Sequence, residues 1–378
     1  MEKGINILIA GDFCPKDRVA SMIGTPEEDS ILQDVRSIIS QSDLAIVNLE
    51  CPLVSTATKP IVKEGPHLKS SSAAAKILKK AGFSLITMAN NHILDYGETG
   101  LNDTIQALQK TGLEYVGVGK NSEEAGKTWY LKIDNSTIAV INCCEHEFSI
   151  ATKQDAGANP LHPIRQWYAI QEAKQKADYV IIIVHGGHEH YALPSPRMQE
   201  TYRFFIDAGA DVVVNHHQHC YSGYEMYQGK PIFYGLGNFC FDWNGKRQEA
   251  WNYGYMVELH FKQTIEFTIY PYEQCNEMPV VKFLNEEQKS IFDKNIQKLN
   301  TIIASKEELT KNHEQWMQQE ERNWLVSLSP FTSRYINGLT RRGMLPLWLP
   351  KSKIVSLLNK VSCESHRDKL VYILEKQI

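Results

Sequence analysis

The chain contains 378 residues with a net charge of −4; 43% of the residues are hydrophobic and 22% are charged. This composition is typical of a soluble globular protein with enough apolar side chains for a substantial core. A slightly acidic chain of this kind is not expected to coat nucleic acid or an anionic membrane, so we expect no nucleic-acid partner.

Strand-like and helix-like segments alternate from the N-terminus to about residue 240. The predicted strands are Ile5–Ala10, Leu44–Asn48, Ser84–Met88, Glu114–Val118, Thr137–Asn142, Tyr179–Val184, Asp211–Asn215 and Pro231–Tyr234. Most are rich in Val and Ile without strict alternation, which indicates strands buried on both faces. The predicted helices are Pro26–Ser40, Ser72–Ala81, Glu98–Lys110, Ile164–Lys176 and Pro196–Ala208, and a closing hairpin is predicted at Tyr255–Phe261 and Thr264–Tyr270. This alternation predicts an α/β fold.

The pattern changes after about residue 275, where strand signals become rare. The predicted helices of this part are Glu286–Ala304, Lys306–Leu325, Lys353–Lys360 and His366–Glu375. We therefore expect two domains, residues 1–275 and a helical C-terminal appendage of residues 276–378. Three tryptophans, Trp316, Trp324 and Trp348, are predicted to lie in the core of this appendage, with a glycan-stacking surface as the alternative.

The first apolar run, Ile5–Ala10, is too short for a secretory signal and indicates a buried strand. No segment of the sequence approaches the roughly 18 apolar residues that a transmembrane helix needs. The sequence therefore predicts a cytoplasmic protein without a transmembrane segment. Its eight cysteines form no CxxC pair, which is typical of free thiols in a reducing compartment.

Carboxylate, amide and imidazole side chains follow the first three predicted strands. Asp12 comes after the first strand, Glu50 after the second, and Asn91 and His92 after the third, with Asp95 three residues further on. Ligand sites of α/β proteins lie at the carboxyl ends of strands, so these side chains are expected to meet. Taken singly, each has an ordinary alternative: a turn at Asp12, a surface or capping acid at Glu50, and an Asn-rich turn at Asn91.

Histidines are concentrated after two later strands. They are His185, His188 and His190 after Tyr179–Val184, and His216, His217 and His219 after Asp211–Asn215. Buried imidazoles need polar partners, so six of them at strand ends are hard to explain as core residues alone. The alternative is a dry, metal-free interior in which they are ordinary core residues. His217 and His219 are two residues apart, so on a tight loop both can approach one ion or two neighbouring ions.

Together these side chains offer two carboxylates, an amide oxygen and three imidazoles. This mixed oxygen and nitrogen set suits Mn²⁺, Fe²⁺ or Zn²⁺ better than Ca²⁺ or Mg²⁺. Two such ions bridged by a water would lower the pKa of that water towards about 7 and stabilise charge on a phosphoryl or similar oxygen. His92, oriented by Asp95, would donate a proton to the leaving group. The sequence thus predicts two divalent metal ions as cofactors.

The order of these motifs resembles that of the CapA-type poly-γ-glutamate capsule synthesis family, in the calcineurin-like metallophosphatase superfamily. The resemblance covers about residues 4–245. Its motifs are Gly-Asp at 11–12, Asn-Leu-Glu-x-Pro at 48–52, Asn-Asn-His-x-x-Asp-Tyr-Gly at 90–97, His-x-Gly-x-Glu at 185–189, His-His-x-His at 216–219 and Tyr-Gly-Leu-Gly-Asn-Phe at 234–239. The resemblance implies a four-layer α/β/β/α sandwich, with the metal centre in loops at one edge of two packed sheets.

The resemblance also implies a role for each motif residue. The metal ligands would be Asp12, Glu50 as the bridging carboxylate, Asn91, His185, His217 and His219. His92 would assist catalysis together with Asp95. Glu189 matches a glutamate characteristic of the family, and we expect it to bind substrate together with His188 and Asn238.

The chain departs from the wider superfamily near the first metal site. Phosphoesterases of the superfamily usually carry His two residues after the first Asp, where this chain has Cys14. Cys14 either ligates as a thiolate or is simply buried, and a missing ligand predicts a first metal site that is weak or empty. The bridging position holds Glu50, as in the capsule family itself, where the wider superfamily uses Asp. The residue before the last histidine motif is Asn215, where Gly is usual.

Two functions fit these motifs. The first is a metal-dependent hydrolase or transferase in capsule or other surface-polymer biosynthesis, acting on an anionic polymer or a phosphoester-type substrate. The second is a non-catalytic assembly factor that binds polymer or a biosynthetic partner on the same fold. In either case a membrane-associated biosynthetic partner is expected. A dinuclear centre indicates a reaction type rather than a substrate, so the substrate itself stays open.

Overall fold

A computed structural model describes residues 4–331 and 333–377 of the chain. Its backbone divides into two compact units, Met1–Leu309 and Thr310–Ile378. The domain division at residue 275 stays a prediction; a further strand and a long helix of the first unit follow that residue. In the described part of the chain, none of the helices combines the length and the apolarity that a membrane crossing requires.

The first unit contains the strands found among the described residues and most of the long helices. The strands in chain order are β1 (Ile5–Cys14), β2 (Leu44–Leu49), β3 (Leu85–Thr87), β4 (Glu114–Val116), β5 (Val118–Gly119), β6 (Trp129–Ile133), β7 (Ser136–Cys144), β8 (Gly157–Ala158), β9 (Tyr179–His185), β10 (Val212–His216), β11 (Tyr224–Tyr227), β12 (Lys230–Phe233), β13 (Asn238–Phe241), β14 (Tyr253–Phe261), β15 (Ile265–Gln274) and β16 (Val281–Phe283). The α-helices among the described residues are α1 (Asp17–Met22), α2 (Arg36–Gln41), α3 (Ala74–Ala81), α4 (Gly97–Thr111), α5 (Ser122–Ala125), α6 (Pro163–Lys176), α7 (Pro196–Asp207), α8 (Glu286–Ala304), α9 (Lys306–Ser327), α10 (Arg334–Arg341), α11 (Lys351–Ser362) and α12 (Glu364–Glu375).

The strands form two large sheets. The first has the order β16-β15-β14-β1-β2-β3-β4, with β13 also paired to β1, and the second has the order β11-β12-β10-β9-β7-β6. The central strands β1 to β4 run parallel, as do β7, β9, β10 and β12, while the outer strands are antiparallel. Val- and Ile-rich central strands are typical of parallel sheets that are covered on both faces.

The two sheets pack face to face. Ile7 and Ile9 of β1 and Ile181 and Ile183 of β9 are fully buried in the core between them. On the other face of β1, Leu8 belongs to a second core that includes residues of α3 and α4, while α6 and α7 contact the second sheet. Helices therefore flank two packed sheets, and the predicted α/β/β/α sandwich is confirmed.

Some predicted elements differ from the observed ones. The single helix expected at Pro26–Ser40 is wrong: a 3₁₀ helix at Pro26–Ser30, capped by the Thr25 hydroxyl, is followed by a turn before α2. The turn buries Ile31 and Val35, so packing rather than helix propensity decides the local backbone. The edge strands β6 and β11 were not predicted, because their half-exposed side chains dilute the apolar signal.

The second unit consists of helices. Its helices α11 and α12 bury none of their side chains. Trp324 is 66% exposed and Trp348 is 63% exposed, whereas Trp316 is half-buried. The prediction that Trp324 and Trp348 lie in a core is therefore wrong, because the short helices around them enclose too little volume to cover a large indole ring.

Candidate metal centre

Strand register brings the motif residues to the same edge of each sheet. In the first sheet, Asp12 of β1 pairs with Asn48 of β2 on one side and with Asn238 of β13 on the other. In the second sheet, His185 of β9 pairs with His216 of β10. The two edges meet, since Asn48 Nδ2 lies 3.3 Å from His185 Nδ1. The site is thus built on the carboxyl ends of parallel strands, as expected for an α/β fold.

A close backbone approach joins the first motif to the last. A Cβ atom on Gly11 would lie 1.9 Å from the carbonyl oxygen of Gly237, so this position accepts only glycine. The N–H of Asp12 donates to the same carbonyl at 3.3 Å. Because Gly11 has no side chain, the loop after β12 can approach Asp12, whose carboxylate is a candidate metal ligand.

Glu50, directly after β2, is fully buried at the centre of the cluster. Among the described residues neither of its oxygens has a hydrogen-bond partner. Oε1 lies 3.7 Å from His185 Nε2 and 3.5 Å from His219 Nε2. Burial, reinforced by the charges of Asp12 and Glu189, raises the pKa of Glu50 well above its ordinary value. A buried carboxylate without a partner is costly, so this position fits a bound cation.

The first group of candidate ligands surrounds His185. Its Nε2 lies 3.1 Å from Asn91 Oδ1 and 3.1 Å from His217 Nδ1. Glu50, His185 and His217 offer ligand atoms that all lie within 4.8 Å of one another. Burial, together with the neighbouring histidines, lowers the pKa of His185 well below its ordinary value, which favours the neutral form that binds metals.

The second group consists of Asp12, Glu50 and His219, again with ligand atoms within 4.8 Å of one another. His219 Nδ1 donates to Asn238 Oδ1 at 2.9 Å, because an amide oxygen can only accept. The lone pair of His219 Nε2 is thereby left for a metal ion. Asn48 Nδ2 donates to Asp12 Oδ1 at 2.6 Å and fixes that carboxylate. Glu50 belongs to both groups, as a bridging ligand must.

The loop that carries the last two histidines has an unusual backbone. His217 has a φ of 96° and His219 a φ of 55°, in the left-handed region that non-glycine residues seldom adopt. Each such conformation costs on the order of 1–3 kcal/mol unless the surroundings impose it. Asn215, which stands where Gly was expected, fixes the loop by donating to the carbonyl oxygens of Gly186 and Tyr234.

His92 belongs to a separate, charge-balanced triad. Its Nδ1 lies 2.7 Å from Asp95 Oδ2, and the backbone N–H of Leu68 donates to the same oxygen at 2.6 Å. The buried Lys63 ammonium pairs with Asp95 Oδ1 and lies 3.0 Å from His92 Nδ1. Because the Asp95 carboxylate accepts the proton on Nδ1, Nε2 is the ring nitrogen left to exchange a proton with a ligand.

A cavity of about 230 Å³ opens beside these residues. Its lining consists of Pro66, Leu68, His92, Glu189, His190, His219, Phe241, Trp243, Lys246 and Trp251. The wall is aromatic, since the His219 ring lies 4.7 Å from the Trp251 ring and 5.4 Å from that of Phe241. Lys16 Nζ lies 3.9 Å from the centre of the Trp243 ring. One lysine and three imidazoles thus line a small aromatic cavity.

The three predicted substrate-binding residues lie in different places. Glu189 lines the cavity, whereas His188 and Asn238 are not among its lining residues. His188 is half-buried with its ring 6.4 Å from that of Tyr191, and Asn238 is fully buried behind His219. Contact of these residues with substrate stays a prediction.

Cys14 is fully buried and lies in neither group of candidate ligands found among the described residues. Burial, together with a hydrogen bond to the Cys51 thiol, raises the pKa of Cys14 well above its ordinary value. This environment favours the protonated thiol. The second group still has three ligands without it.

Two residues of the site were not found from the sequence. Glu147 Oε2 accepts a hydrogen bond from Asn91 Nδ2 at 3.0 Å, and Oε1 lies 3.6 Å from His217 Nε2. Glu147 follows the apolar strand β7, so the strand-end pattern that found the other ligands applies to it as well. Lys63 lies in a loop between β2 and α3 and has no comparable signal.

Comparison with known proteins gives a family. The family described as Bacterial capsule synthesis protein PGA_cap matches residues 6–243. The capsule biosynthesis protein CapA of Bacillus anthracis is 30% identical over 268 residues, which cover 68% of this chain and 64% of that protein. The PGA biosynthesis protein CapA of Bacillus subtilis (strain 168) is 34% identical over 271 residues, which cover 70% of each. The chain thus spans slightly less than two thirds of the Bacillus anthracis relative.

A solved structure is also similar in part. A calcineurin-like phosphoesterase from Bacillus subtilis aligns with 80% of this chain and 99% of its own, at 12% identity and a TM-score of 0.42. The family match by sequence covers more than half of the chain and contains every predicted metal ligand. The chain therefore belongs to the bacterial capsule synthesis family PGA_cap, the CapA-type family that its motif order predicts.

Proposed function

We propose that this chain is a metal-dependent hydrolase or transferase that acts on an anionic group during capsule or surface-polymer biosynthesis. The observation that carries the proposal is Glu50, which is fully buried, has no hydrogen-bond partner among the described residues, and belongs to two groups of candidate ligands. Two divalent ions, of Mn, Fe or Zn, would balance this carboxylate and Asp12.

The ligand residues supply a dry, shaped pocket for these ions. His185, His217 and Asn91 would hold one ion, Asp12 and His219 the other, and Glu50 both. A divalent ion bound there lowers the pKa of water and stabilises negative charge on a reacting oxygen. Because the ligands are buried and fixed by hydrogen bonds, that charge stabilisation acts in a medium of low polarity and needs little rearrangement.

His92 would hold and transfer the proton of the reaction. It lines the cavity, and Asp95 fixes its Nδ1–H. Nε2 is then the atom that protonates a leaving oxygen or nitrogen, a role that is typically worth 100- to 10,000-fold in rate. Lys63 acts through Asp95 as a positioning residue, since it pairs with the carboxylate oxygen that His92 does not use.

The cavity supports an anionic substrate. Lys246 and His190 line it, and Lys16 lies over the neighbouring Trp243 ring. A volume of about 230 Å³ fits one phosphate or carboxylate group with its immediate neighbours, so a polymer would enter by its end. A phosphoester and a γ-glutamyl chain end both satisfy this chemistry.

The place of this activity is proposed from the relatives. The two matched Bacillus proteins are named for capsule and PGA biosynthesis. A membrane-associated biosynthetic partner belongs to the same proposal, because capsule polymers are assembled for the cell exterior. The cytoplasmic location expected from the sequence stays a prediction.

The test is turnover by the metal-loaded protein. Purified chain is loaded with Mn²⁺, Fe²⁺ or Zn²⁺ and assayed on p-nitrophenyl phosphate, bis(p-nitrophenyl) phosphate and γ-glutamyl-p-nitroanilide. We expect metal-dependent turnover of at least one, its loss in Glu50→Gln, and no change in the exposed control Glu172→Gln. Turnover that persists in Glu50→Gln or in metal-free protein would contradict the proposal.

The assembly-factor alternative predicts a different result in the same experiment. The protein would bind the metal ions and a polymer end without turning over any substrate. Full metal loading, tight binding of an oligomeric γ-glutamate, and no product after prolonged incubation would favour the assembly factor over the enzyme.

A further inference from the structure

The C-terminal part of the chain carries a positive charge, although the net charge of the whole chain is negative. Residues 333–377, which contain α10, α11 and α12, form what we call the C-terminal basic segment. It holds nine Lys and Arg against three Asp and Glu, a surplus of six positive charges in a chain whose net charge is −4. The expectation that this chain avoids anionic membranes rests on the overall charge and therefore does not apply to this segment.

Large apolar side chains of the same segment are exposed. Val355 is 63% exposed and Leu358 61% exposed, and neither α11 nor α12 contains a buried residue. The exposed apolar residues of the two helices are Ile354, Val355, Leu358, Val361, Val371, Tyr372, Ile373 and Leu374. Soluble monomers rarely leave a large contiguous apolar surface in water, so this surface is expected to contact a partner.

Helix α11 carries an apolar stripe with lysines at its flanks. An α-helix turns about 100° per residue, so Ile354, Leu358 and Val361 lie along one stripe. Lys353 and Lys360, seven residues apart, lie together along one flank of this stripe. Lysines in this position can extend their ammonium groups away from an apolar layer while their methylene stems stay in it. This arrangement is typical of helices that lie flat in a membrane interface.

Aromatic residues flank the same helices. Trp348 precedes α11 by three residues, Tyr335 of α10 is 76% exposed, and Tyr372 lies in the exposed face of α12. Tyr and Trp combine an apolar ring with a polar group, and they are enriched at the boundary between lipid and water. Their exposure here fits a surface that is apolar on one side and wet on the other.

We propose that the C-terminal basic segment docks the protein on the surface of an anionic lipid membrane. Two other occupants fit less well. A second copy of the chain would bring six positive charges against six more, which is unfavourable. A soluble polyanion would neutralise the lysines and arginines and leave the apolar side chains in water. An anionic lipid surface would neutralise the basic side chains and also cover the apolar ones. This proposal is independent of the proposed hydrolase activity.

The first test measures vesicle binding by the full-length protein. Vesicles of phosphatidylcholine alone are compared with vesicles of equal parts phosphatidylcholine and phosphatidylglycerol in a sedimentation assay. We expect binding to the anionic vesicles, little binding to the neutral ones, and weaker binding as salt is raised. Absence of binding to anionic vesicles at low salt overturns the proposal.

Matched charge variants locate the binding surface. Lys353→Glu with Lys360→Glu is compared with Lys110→Glu and Lys298→Glu, two exposed lysines of the first unit that change the net charge equally. Each removed lysine near the membrane is expected to weaken binding by about fivefold, and each added acid by more. An equal loss in the Lys110 and Lys298 variant would show that overall charge, not this segment, binds lipid.

A third measurement separates insertion from simple attraction. The Trp348 contribution to fluorescence, obtained by difference from Trp348→Phe, should shift to shorter wavelength on anionic vesicles, because the ring enters an apolar layer. The variant Val355→Ser with Leu358→Ser should abolish that shift. An unshifted Trp348 signal, or light scattering that shows a dimer lost in the serine variant, would assign this surface to another partner and overturn the proposal.

Discussion

The two halves of the candidate site differ in how their charges are balanced. Glu50 has no hydrogen-bond partner for either oxygen among the described residues and lies beside His185 and His219, whose pKa burial lowers well below its ordinary value. Asp95, by contrast, accepts from a backbone N–H and pairs with both Lys63 and His92. The comparison teaches that the chain balances the charge of one half by itself, whereas the other half holds a buried carboxylate whose charge a bound cation would balance.

The largest expected effect separates the two halves by their chemistry. His92→Ala removes the proton-transfer group but none of the candidate metal ligands. The value of kcat should therefore fall by about 100- to 10,000-fold while the metal content stays constant. Metal analysis and steady-state kinetics on the same preparation check this. The exposed His162→Ala serves as control and should match wild type. Loss of metal from His92→Ala would show that the two halves of the site depend on each other.

The second prediction concerns the balanced half. Lys63→Met leaves Asp95 buried without its cation, which should cost on the order of 3–5 kcal/mol in the free energy of unfolding. Urea denaturation checks this, with the exposed Lys59→Met as the matched control. Lys63→Arg should recover part of the stability and of kcat, since it restores the charge. An unaltered midpoint in Lys63→Met would show that the ion pair is not needed to hold Asp95.

The third prediction concerns the orientation of His219. Asn238→Ala removes the acceptor of the Nδ1–H, so affinity for the ion held by Asp12, Glu50 and His219 should fall by about 10- to 100-fold. Asn238→Asp, which keeps an acceptor oxygen, should retain most of the affinity. Competition with a chelator measures both variants. Equal weakening in both would show that Asn238 acts through packing alone.

The smallest expected effect has the opposite sign. In metal-free protein, Glu50→Gln should raise the free energy of unfolding by about 1–3 kcal/mol, because it removes an unpaired buried carboxylate. Burial raises the folded-state pKa of Glu50 above its ordinary value of 4.5, so the cost of ionising it is present at neutral pH. The advantage of Glu50→Gln should therefore disappear as pH falls below 4.5, where the group becomes protonated in both states.

The layers of the fold and the placement of the candidate ligands could be predicted because they depend on patterns that are local in sequence. Most of the parallel strands are Val- and Ile-rich runs, and each predicted metal ligand lies within four residues after a predicted strand. Asn91, His185 and His217 were expected to meet for this reason. In the structure His185 Nε2 lies 3.1 Å from Asn91 Oδ1 and 3.1 Å from His217 Nδ1.

The remaining features depend on contacts that no local pattern records. Lys63 reaches Asp95 from a loop about 30 residues earlier, and nothing in that loop distinguishes it from a surface lysine. Trp348 is exposed because few other residues pack around it. The sequence near a tryptophan does not indicate how many residues will pack against its ring. Glu147 could have been found from the sequence, since it follows β7 as the candidate ligands follow their strands.

The central claim is that Glu50 is shared between two cation sites, and metal stoichiometry tests it most directly. Wild-type protein is saturated with Mn²⁺, freed of excess ion and analysed beside His217→Ala and Glu50→Gln. We expect about two ions per chain in wild type, about one in His217→Ala, which loses a ligand of a single group, and fewer than one in Glu50→Gln, which loses the ligand of both. Two ions retained by Glu50→Gln, or none bound by wild type, would contradict this account.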